Sequence, residues 1–456
     1  TAAQTNSRPK GVNGYYGALY ICPVMGIVMA AGAILGKTPA IAALFAALWL
    51  AMPAAIWALD RGLPKEKPRP DERELLEDIA ERTWAFFETF AGEGRGYIPP
   101  DNFQQEPEKR PAVNTSPTNI GMAMAAAVSA AELGLITADE LEKRLSGTMD
   151  TVDKMQKWHG HLYNWYRTDT LEVMRPRYVS TVDSGNFCAC LITGSMALKK
   201  YGREDTAARL ERAARETDFS ALYDAERKLF RIGYDGDACE LSNSWYDLLA
   251  SEARLTSLIA VALGSVKPEH WFKLGRQMAP VLGGTLVSWS GTMFEYLMPV
   301  LFTGAVPDTL LYNSCLNAVK AQKRQRYGGV WGISESGYYA FDRNMYYQYR
   351  AFGLQRLSLM SCREHSRVIS PYSTMLALAF DPRGACENIR RLTGEGGLGP
   401  YGMYEALDYT EGRSNPEKDH AVVQSFMAHH QGMSMCAIAN ALCDGAIEKD
   451  FMSYAA

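Results

Sequence analysis

Glu335 and Glu405 each stand in a run of glycine and aromatic residues, W-G-I-S-E-S-G-Y-Y and Y-G-M-Y-E-A-L-D-Y. Carboxylates in such surroundings suit the cleavage of glycosidic bonds. Flat rings stack on pyranose faces, glycines let backbone approach a ligand, and a desolvated carboxyl group keeps its proton at neutral pH. The same chemistry recurs in polar-aromatic segments upstream. Residues 99–103 supply Asp101 and Asn102, and 114–119 supply Asn119. Residues 158–166 (W-H-G-H-L-Y-N-W-Y) supply Tyr163, Trp165 and Tyr166, while 177–186 supply Asp183 and Asn186. Residues 288–296 (S-W-S-G-T-M-F-E-Y) hold Trp289 and Glu295. Trp331 and Tyr401 flank the two glutamate runs, and M-A-H-H-Q-G contributes His429, His430 and Gln431. Asn, Asp, Ser and His offer directional hydrogen bonds to sugar hydroxyls, beside Trp and Tyr for stacking. One such loop could be an ordinary turn; their recurrence points to an oligosaccharide groove. Asp183 has a second reading, as the cap of a helix that begins near Ser184.

Composition narrows the alternatives. A formal charge of −4 over 456 residues, with no block of Lys and Arg, argues against a nucleic-acid partner. The nine cysteines include no C-x-x-C pair, which fits reduced, buried thiols in a cytosolic compartment. His159-x-His161 and His429-His430 are the close histidine groupings, and neither has the helical spacing of a metal site. No metal is expected. The sequence also lacks G-x-G-x-x-G, the Walker A loop, H-E-x-x-H and G-x-S-x-G, so no cofactor is expected either.

The elements that must position these residues read as helix after helix. Apolar residues recur at helical period over 72–90, and 118–133 is Ala- and Met-rich, as a buried helix would be. Thr137 and Glu140 form a capping box for a helix running to about 158. Further helices are expected at 184–201, 204–219, 242–263, 268–278, 308–327, 373–379, 382–392 and 422–442. Short strands are expected at 229–234 and 337–341. Paired helices joined by polar-aromatic loops suggest an all-α protein, an α/α toroid whose loops meet at one end.

The front of the chain differs. Residues 15–35 and 40–59 carry no charge, and each is about the ~20 residues needed to span a bilayer. A signal peptide would be shorter and would show a cleavage site. Residues 1–62 are therefore read as a two-helix transmembrane hairpin contacting lipid through 15–59. The Pro- and charge-rich 63–74 forms a linker, and 75–456 is the catalytic domain. Arg8, Lys10, Arg61, Lys65, Lys67 and Arg69 lie outside the pair, with Lys37 between its arms. By the positive-inside rule the large domain faces the cytoplasm.

Several motifs, in order from about residue 71 onward, closely resemble the middle region of the cyclic β-1,2-glucan synthases. They are N-T-S-P-T-N-I-G, H-L-Y-N-W-Y, R-Y-V-S-T-V-D-S-G-N, W-G-I-S-E-S, Y-G-M-Y-E-A-L-D-Y-T and M-A-H-H-Q-G-M-S. The resemblance implies a glucoamylase-like (α/α)6 barrel at a bacterial inner membrane that cyclises linear β-1,2-glucan by anomer-retaining transglycosylation. It implies Glu335 as acid/base and Glu405 as nucleophile, with Glu295 a third carboxylate and Asp408 a tuning group beside Glu405. In that family a glycosyltransferase precedes this domain and a phosphorylase-like domain follows it. Neither is in this chain, which is expected to be a fragment or a truncated relative. Related β-1,2-glucanases with the same toroid invert instead. A non-catalytic, membrane-anchored glucan-binding module is the reading from outside the enzyme class.

Overall fold

The computed structural model describes residues 11–36, 39–60, 67–360, 366–413 and 419–454. Two compact units divide the chain, Thr1–Glu66 with Ala456, and Lys67–Ala455. The first holds helices α1 (Gly11–Ala18), α2 (Ile21–Leu35) and α3 (Pro39–Asp60). Helices α2 and α3 lie side by side, and Gly26 lets the backbone close on Ala46 and Leu50. Ile27, Leu35, Ile41 and Leu44 stay exposed. Ala40–Ala58 is long and apolar enough to cross a membrane; α1 and α2 amount to a second span only if counted together across their 73° bend. The expected two-helix transmembrane hairpin thus rests on one unbroken apolar helix and one bent pair. Pro23 lacks an amide hydrogen, and its ring collides with the carbonyl four residues back, at Leu19, so the first apolar run breaks there. Arg8, Lys10, Lys37, Arg61 and Lys65, on which the orientation rests, lie outside the described residues.

In the second unit the chain order is α4 (Pro70–Phe90), α5 (Pro117–Glu132), α6 (Ala138–Val152), α7 (Thr181–Lys200), α8 (Glu204–Glu216), α9 (Arg254–Ala262) and α10 (Glu269–Lys273). There follow α11 (Met293–Leu297), α12 (Val300–Thr303), α13 (Leu310–Arg324), α14 (Pro371–Leu376), α15 (Pro382–Gly394), α16 (Ala428–Leu442) and α17 (Ala446–Tyr454). Among the described residues α5, α7, α9, α11, α14 and α16 form an inner ring. Packing links α16 to α5, α5 to α7, α7 to α9, and α11 to α14 to α16. The remaining junction is made by Arg254 at the start of α9, whose guanidinium donates to the backbone carbonyls of Glu295 and Tyr296 on α11. Helices α4, α6, α8, α10, α13 and α15 pack outside it. Sequence explains the division. Inner α5 and α7 are small and apolar around their whole circumference, and almost all of their residues are buried. Outer α8 is strongly one-sided, burying Ala207, Leu210 and Ala214 and turning its charges to solvent. Glycines set the spacing of the inner ring, where Gly121 meets Phe187 and Cys190, Gly185 meets Thr256, and Gly432 meets Met122.

Helix α17 packs against α5, α7, α12 and α16 at the C-terminal end of the inner ring. There Lys200 pairs with Glu132 at 2.7 Å and with buried Asp450 at 2.9 Å. At the opposite rim the all-α expectation is corrected, because the connections are short antiparallel strands. Strands Asn114–Thr115, Asn164–Arg167, Val173–Ser180, Gly233–Asp235 and Glu240–Leu241 make one sheet. Asn102–Gln104 pairs with Arg110–Pro111 and Ser425–Met427, and Ala406–Asp408 with Val368–Ile369 and Ala421–Val423. Four of these strands run directly into inner helices: Asn114–Thr115 into α5, Val173–Ser180 into α7, Val368–Ile369 into α14 and Ser425–Met427 into α16. Predicted helix 242–263 therefore starts only at Arg254, and 422–442 only at Ala428. Predicted 268–278 shrinks to α10, and the helix expected to reach 158 stops at Val152. The strands expected at 229–234 and 337–341 are present as Leu229–Arg231, Gly233–Asp235 and Ser336–Phe341.

Candidate active site

The inner helices all start at the strand-lined rim, and the candidate residues sit in or just before their first turns. Asn119 is in α5, Asp183 and Asn186 in α7, Glu295 in α11, and His429 and His430 in α16. Hydroxyl caps on α5 and α7 leave the Asn119 and Asp183 side chains free for other partners. The Ser116 hydroxyl accepts from the Asn119 amide and the Ser180 hydroxyl from the Asp183 amide, each at 3.2 Å. Asp183 is therefore not the cap, and its carboxylate accepts from the Thr118 hydroxyl at 2.7 Å. Asn186 donates to the same hydroxyl at 3.2 Å. Beside them Asn119 donates to Asp101 at 2.8 Å, Asn102 donates to Asp101 at 3.1 Å, and His429 Nδ1 lies 3.1 Å from Asn119 Oδ1. Burial pushes the Asp101 carboxyl pKa up.

A cleft of about 360 Å³ opens on the same rim, lined by Trp245, Tyr246, Glu252, Trp289, Glu295 and Glu335 among others. Trp289 is 41% exposed and is steadied by its indole N–H, which donates to Asp247 at 3.1 Å. Arg227 and Arg231 stack over Trp245, whose indole N–H donates to Asp224 at 3.0 Å. Glu335 ends the loop before strand Ser336–Phe341, and its Oε1 accepts from the Tyr349 hydroxyl at 3.0 Å. Desolvation pushes its pKa up to about 8. Charges on Glu252, Glu295 and Glu405 add to the rise, and the Tyr349 hydrogen bond opposes it. Glu252 also shifts upward, through desolvation and the nearby Glu295. Glu295 is committed to structure: one of its oxygens accepts from Ser288 Oγ at 2.9 Å and from Thr292 N and Oγ1 at 2.9 and 3.0 Å.

Glu405 lies deeper, 2% exposed, and accepts from Gly337 N–H at 2.9 Å. His430 Nδ1 is 3.0 Å from its other oxygen. Burial pushes Glu405 up to about 7, with the Gly337 bond and His429 opposing the rise. The imidazole of His430 is forced well below the usual histidine range by burial. It stacks on Tyr372 at 3.6 Å, and Tyr372 in turn donates to the backbone carbonyl of Glu335 at 3.0 Å.

The remaining candidates do not line this cleft. Tyr401 belongs to an aromatic cluster with Phe86, Phe90, Phe103 and Phe426. Trp331, Tyr163 and Tyr166 are buried, and the Tyr166 hydroxyl is engaged with the Gln156 carbonyl and the Tyr163 amide. Gln431 donates to the Met403 carbonyl at 3.0 Å. Fully buried Asp408 accepts from the Tyr339 and Thr410 amides and pairs with Arg413. Trp165 is exposed on the rim sheet. Among the described residues no group of His, Cys, Asp and Glu is arranged to hold a metal ion. Sequence reasoning missed Glu252, Tyr246, Tyr349 and Tyr372. The available signal was S-E-A-R just before the apolar run of α9, an acidic residue at the mouth of a buried helix.

The Glycoamylase family model, described as "Putative glucoamylase", matches residues 244–455. A model described as "Protein of unknown function (DUF3131)" matches residues 78–189. Cyclic beta-(1,2)-glucan synthase NdvB of Rhizobium meliloti is 34% identical over 587 residues, covering 99% of this chain and 21% of that protein. The chain thus spans about a fifth of the length of the curated relative it matches. Endo-beta-1,2-glucanase from Chitinophaga pinensis, solved with sophorotriose and glucose, superimposes with a TM-score of 0.69 at 17% identity, over 84% of this chain and 95% of that one. A mutant of the Talaromyces funiculosus endo-beta-1,2-glucanase, solved with β-1,2-glucan, gives 0.68 at 13% identity, over 83% and 86%. These structures establish a mostly helical, glucoamylase-like α/α fold. The chain is thus similar along its length to a cyclic β-(1,2)-glucan synthase, and its residues 244–455 match the glucoamylase-like family model.

Proposed function

We propose that this chain is a glycoside-hydrolase-type enzyme that closes linear β-1,2-glucan into a ring by intramolecular transglycosylation, with retention of the anomeric configuration. One observation carries the reading: Glu252 and Glu335 line a single aromatic cleft in a chain similar along its length to a cyclic β-glucan synthase. Two carboxyl groups in one cleft do not both ionise freely. Glu335, pushed up to about 8, keeps its proton at neutral pH and delivers it to the leaving glycosidic oxygen. Glu252, which burial and Glu295 push up to about 7, is ionised in part at neutral pH and in that form attacks the anomeric carbon. A hydroxyl from the far end of the same glucan then displaces Glu252, returning its proton to Glu335. Trp245, Tyr246 and Trp289 give the sugars faces to stack on. Glu405, the nucleophile that the resemblance implies, is enclosed by His430 and Gly337 and does not line the cleft, so in this reading Glu252 takes its place and Glu405 supports the pair. The cluster of Asp101, Asn102, Asn119, Asp183, Asn186 and His429 extends the hydrogen-bonding rim for further sugar units.

An inverting endo-β-1,2-glucanase is the competing reading, favoured by the glucanases that share the fold. Incubation of the full chain in detergent with linear β-1,2-glucan separates the two. Rings one water lighter than a linear chain of the same number of glucose units are expected, with the anomer retained and the cleaved reducing-end fragment released beside them. Short reducing chains of inverted anomer would establish the hydrolase, and unchanged glucan would leave only a binding module. We further propose that the N-terminal helices sit in a bacterial inner membrane with the barrel in the cytoplasm, where glycosyltransferase and phosphorylase-like domains would supply and trim the glucan.

A further inference from the structure

Glu335 and Glu405 are joined by an unbroken line of hydrogen-bonding groups. Glu335 Oε1 lies 3.0 Å from the Tyr349 hydroxyl, and that hydroxyl lies 3.4 Å from His430 Nε2. His430 Nδ1 lies 3.0 and 3.1 Å from the two Glu405 oxygens. Each joint is held from outside the line. Tyr372 stacks on His430 with the ring planes 8° apart, Gly337 N–H fixes Glu405, and strand Tyr347–Arg350 carries Tyr349 opposite Ser336–Phe341. His430 and Glu405 are sealed from solvent, whereas Tyr349 is 42% exposed at the cleft end.

We propose that Tyr349, His430 and Glu405 form a proton relay that shares one proton between Glu405 and Glu335 and so sets the protonation of Glu335 before each turnover, resting on the reading of Glu335 as acid/base. The line admits two complete orderings. In one, the Glu335 carboxyl O–H donates to Tyr349, Tyr349 O–H donates to His430 Nε2, and His430 Nδ1–H donates to the Glu405 carboxylate. In the other, Glu405 O–H donates to Nδ1, Nε2–H donates to Tyr349, and Tyr349 O–H donates to the Glu335 carboxylate. Passing from the second to the first moves one proton from Glu405 to Nδ1, one from Nε2 to the phenol and one from the phenol to Glu335. Charge and protons balance, imidazole stays neutral at both ends, and no water is needed. Burial keeps His430 neutral, and Glu405 and Glu335 are pushed up to about 7 and about 8, so neither ordering is far uphill. The other groups facing Glu335 are Glu252, Glu295, Tyr246 and Tyr372. Those facing Glu405 and His430 are His429, Asp101, Tyr349 and Tyr372. Within this set, Tyr349 is the group in hydrogen-bonding reach of both the Glu335 carboxyl and a His430 ring nitrogen, whereas Tyr372 meets the Glu335 backbone carbonyl and the face of the His430 ring.

The test is a titration cycle on the full chain in detergent, labelled with 13C-glutamate and followed by the infrared carboxyl band. In the wild-type background, Glu405→Gln is expected to lower the Glu335 midpoint by about one pH unit. With Tyr349→Phe already present, the same change is expected to move it by less than half as much. Equal shifts in both backgrounds would overturn the relay. Tyr349→Phe is also expected to lower kcat on β-1,2-glucan at least about tenfold with little change in KM. A packing role alone would lower the melting temperature and leave coupling and kcat intact, which also overturns the relay. Coupling through Tyr349 in an enzyme that leaves β-1,2-glucan untouched would sink the proposed function and uphold the relay; turnover without that coupling would do the reverse.

Discussion

Glu335 resists ionisation because it sits out of water among Glu252, Glu295 and Glu405. As the acid must carry its proton, kcat/KM is expected to hold at neutral pH and fall as pH rises through about 8; an activity that survived unchanged to about pH 9.5 would remove Glu335 from that role. Stability follows the same sign. The folded pKa values of Glu335 and Glu405 lie above those of an unfolded chain, so their contribution is present below the ordinary carboxylate range and lost as pH rises through about 8 for Glu335 and about 7 for Glu405. Glu335→Gln is therefore expected to raise the melting temperature by about 1–3 °C more at pH 8 than at pH 5. In turnover assays Glu335→Gln and Glu252→Gln should each cost about a thousandfold or more in kcat, and Glu405→Gln less, because it acts at one remove. Glu335 and Glu405 were legible in the sequence because glycines and rings crowd around them. Glu252 was not, since S-E-A-R reads as the middle of an apolar helix when the strand Trp245–Tyr246 before it goes unrecognised.

At the scale of elements, the inner helices owe their closeness to small residues and their rim to hydroxyl caps. Ala- and Met-rich α5 and the long α7 were readable because a helix apolar all round must be buried. The residues feeding the inner helices were not, because two- and three-residue strands such as Ser425–Met427 leave too little pattern to tell from a helical turn. The contact of α7 with α9 offers a direct check. A Cβ on Gly185 would fall 1.9 Å from Thr256 Oγ1 and 2.9 Å from Thr256 Cα, so side-chain rotation alone cannot make room. Gly185→Ala should destabilise by about 1–3 kcal/mol in denaturant melts. No loss of stability would mean that the two helices are further apart than described.

For the molecule as a whole, the division into units predicts that a variant beginning at Lys67 stays in solution after ultracentrifugation without detergent and retains glucan turnover. Activity confined to detergent would show that the apolar helices belong to the working enzyme. The apolar front was plain from hydropathy, but its bend was not, since one proline decides it. The barrel's closed ring could be inferred only as a class, because no local pattern tells α16 that it will lie beside α5. That ring has a consequence for motion. Inner helices α5, α7 and α16, entered from strands at one end and packed by α17, have no free end from which to fray. Their amides should exchange with deuterium only when the whole barrel opens, while the short rim strands exchange through local openings. Slow breathing of the inner ring and quick breathing of the rim would let the sugar-facing loops adjust to a moving polymer while the carboxylates beneath keep their places.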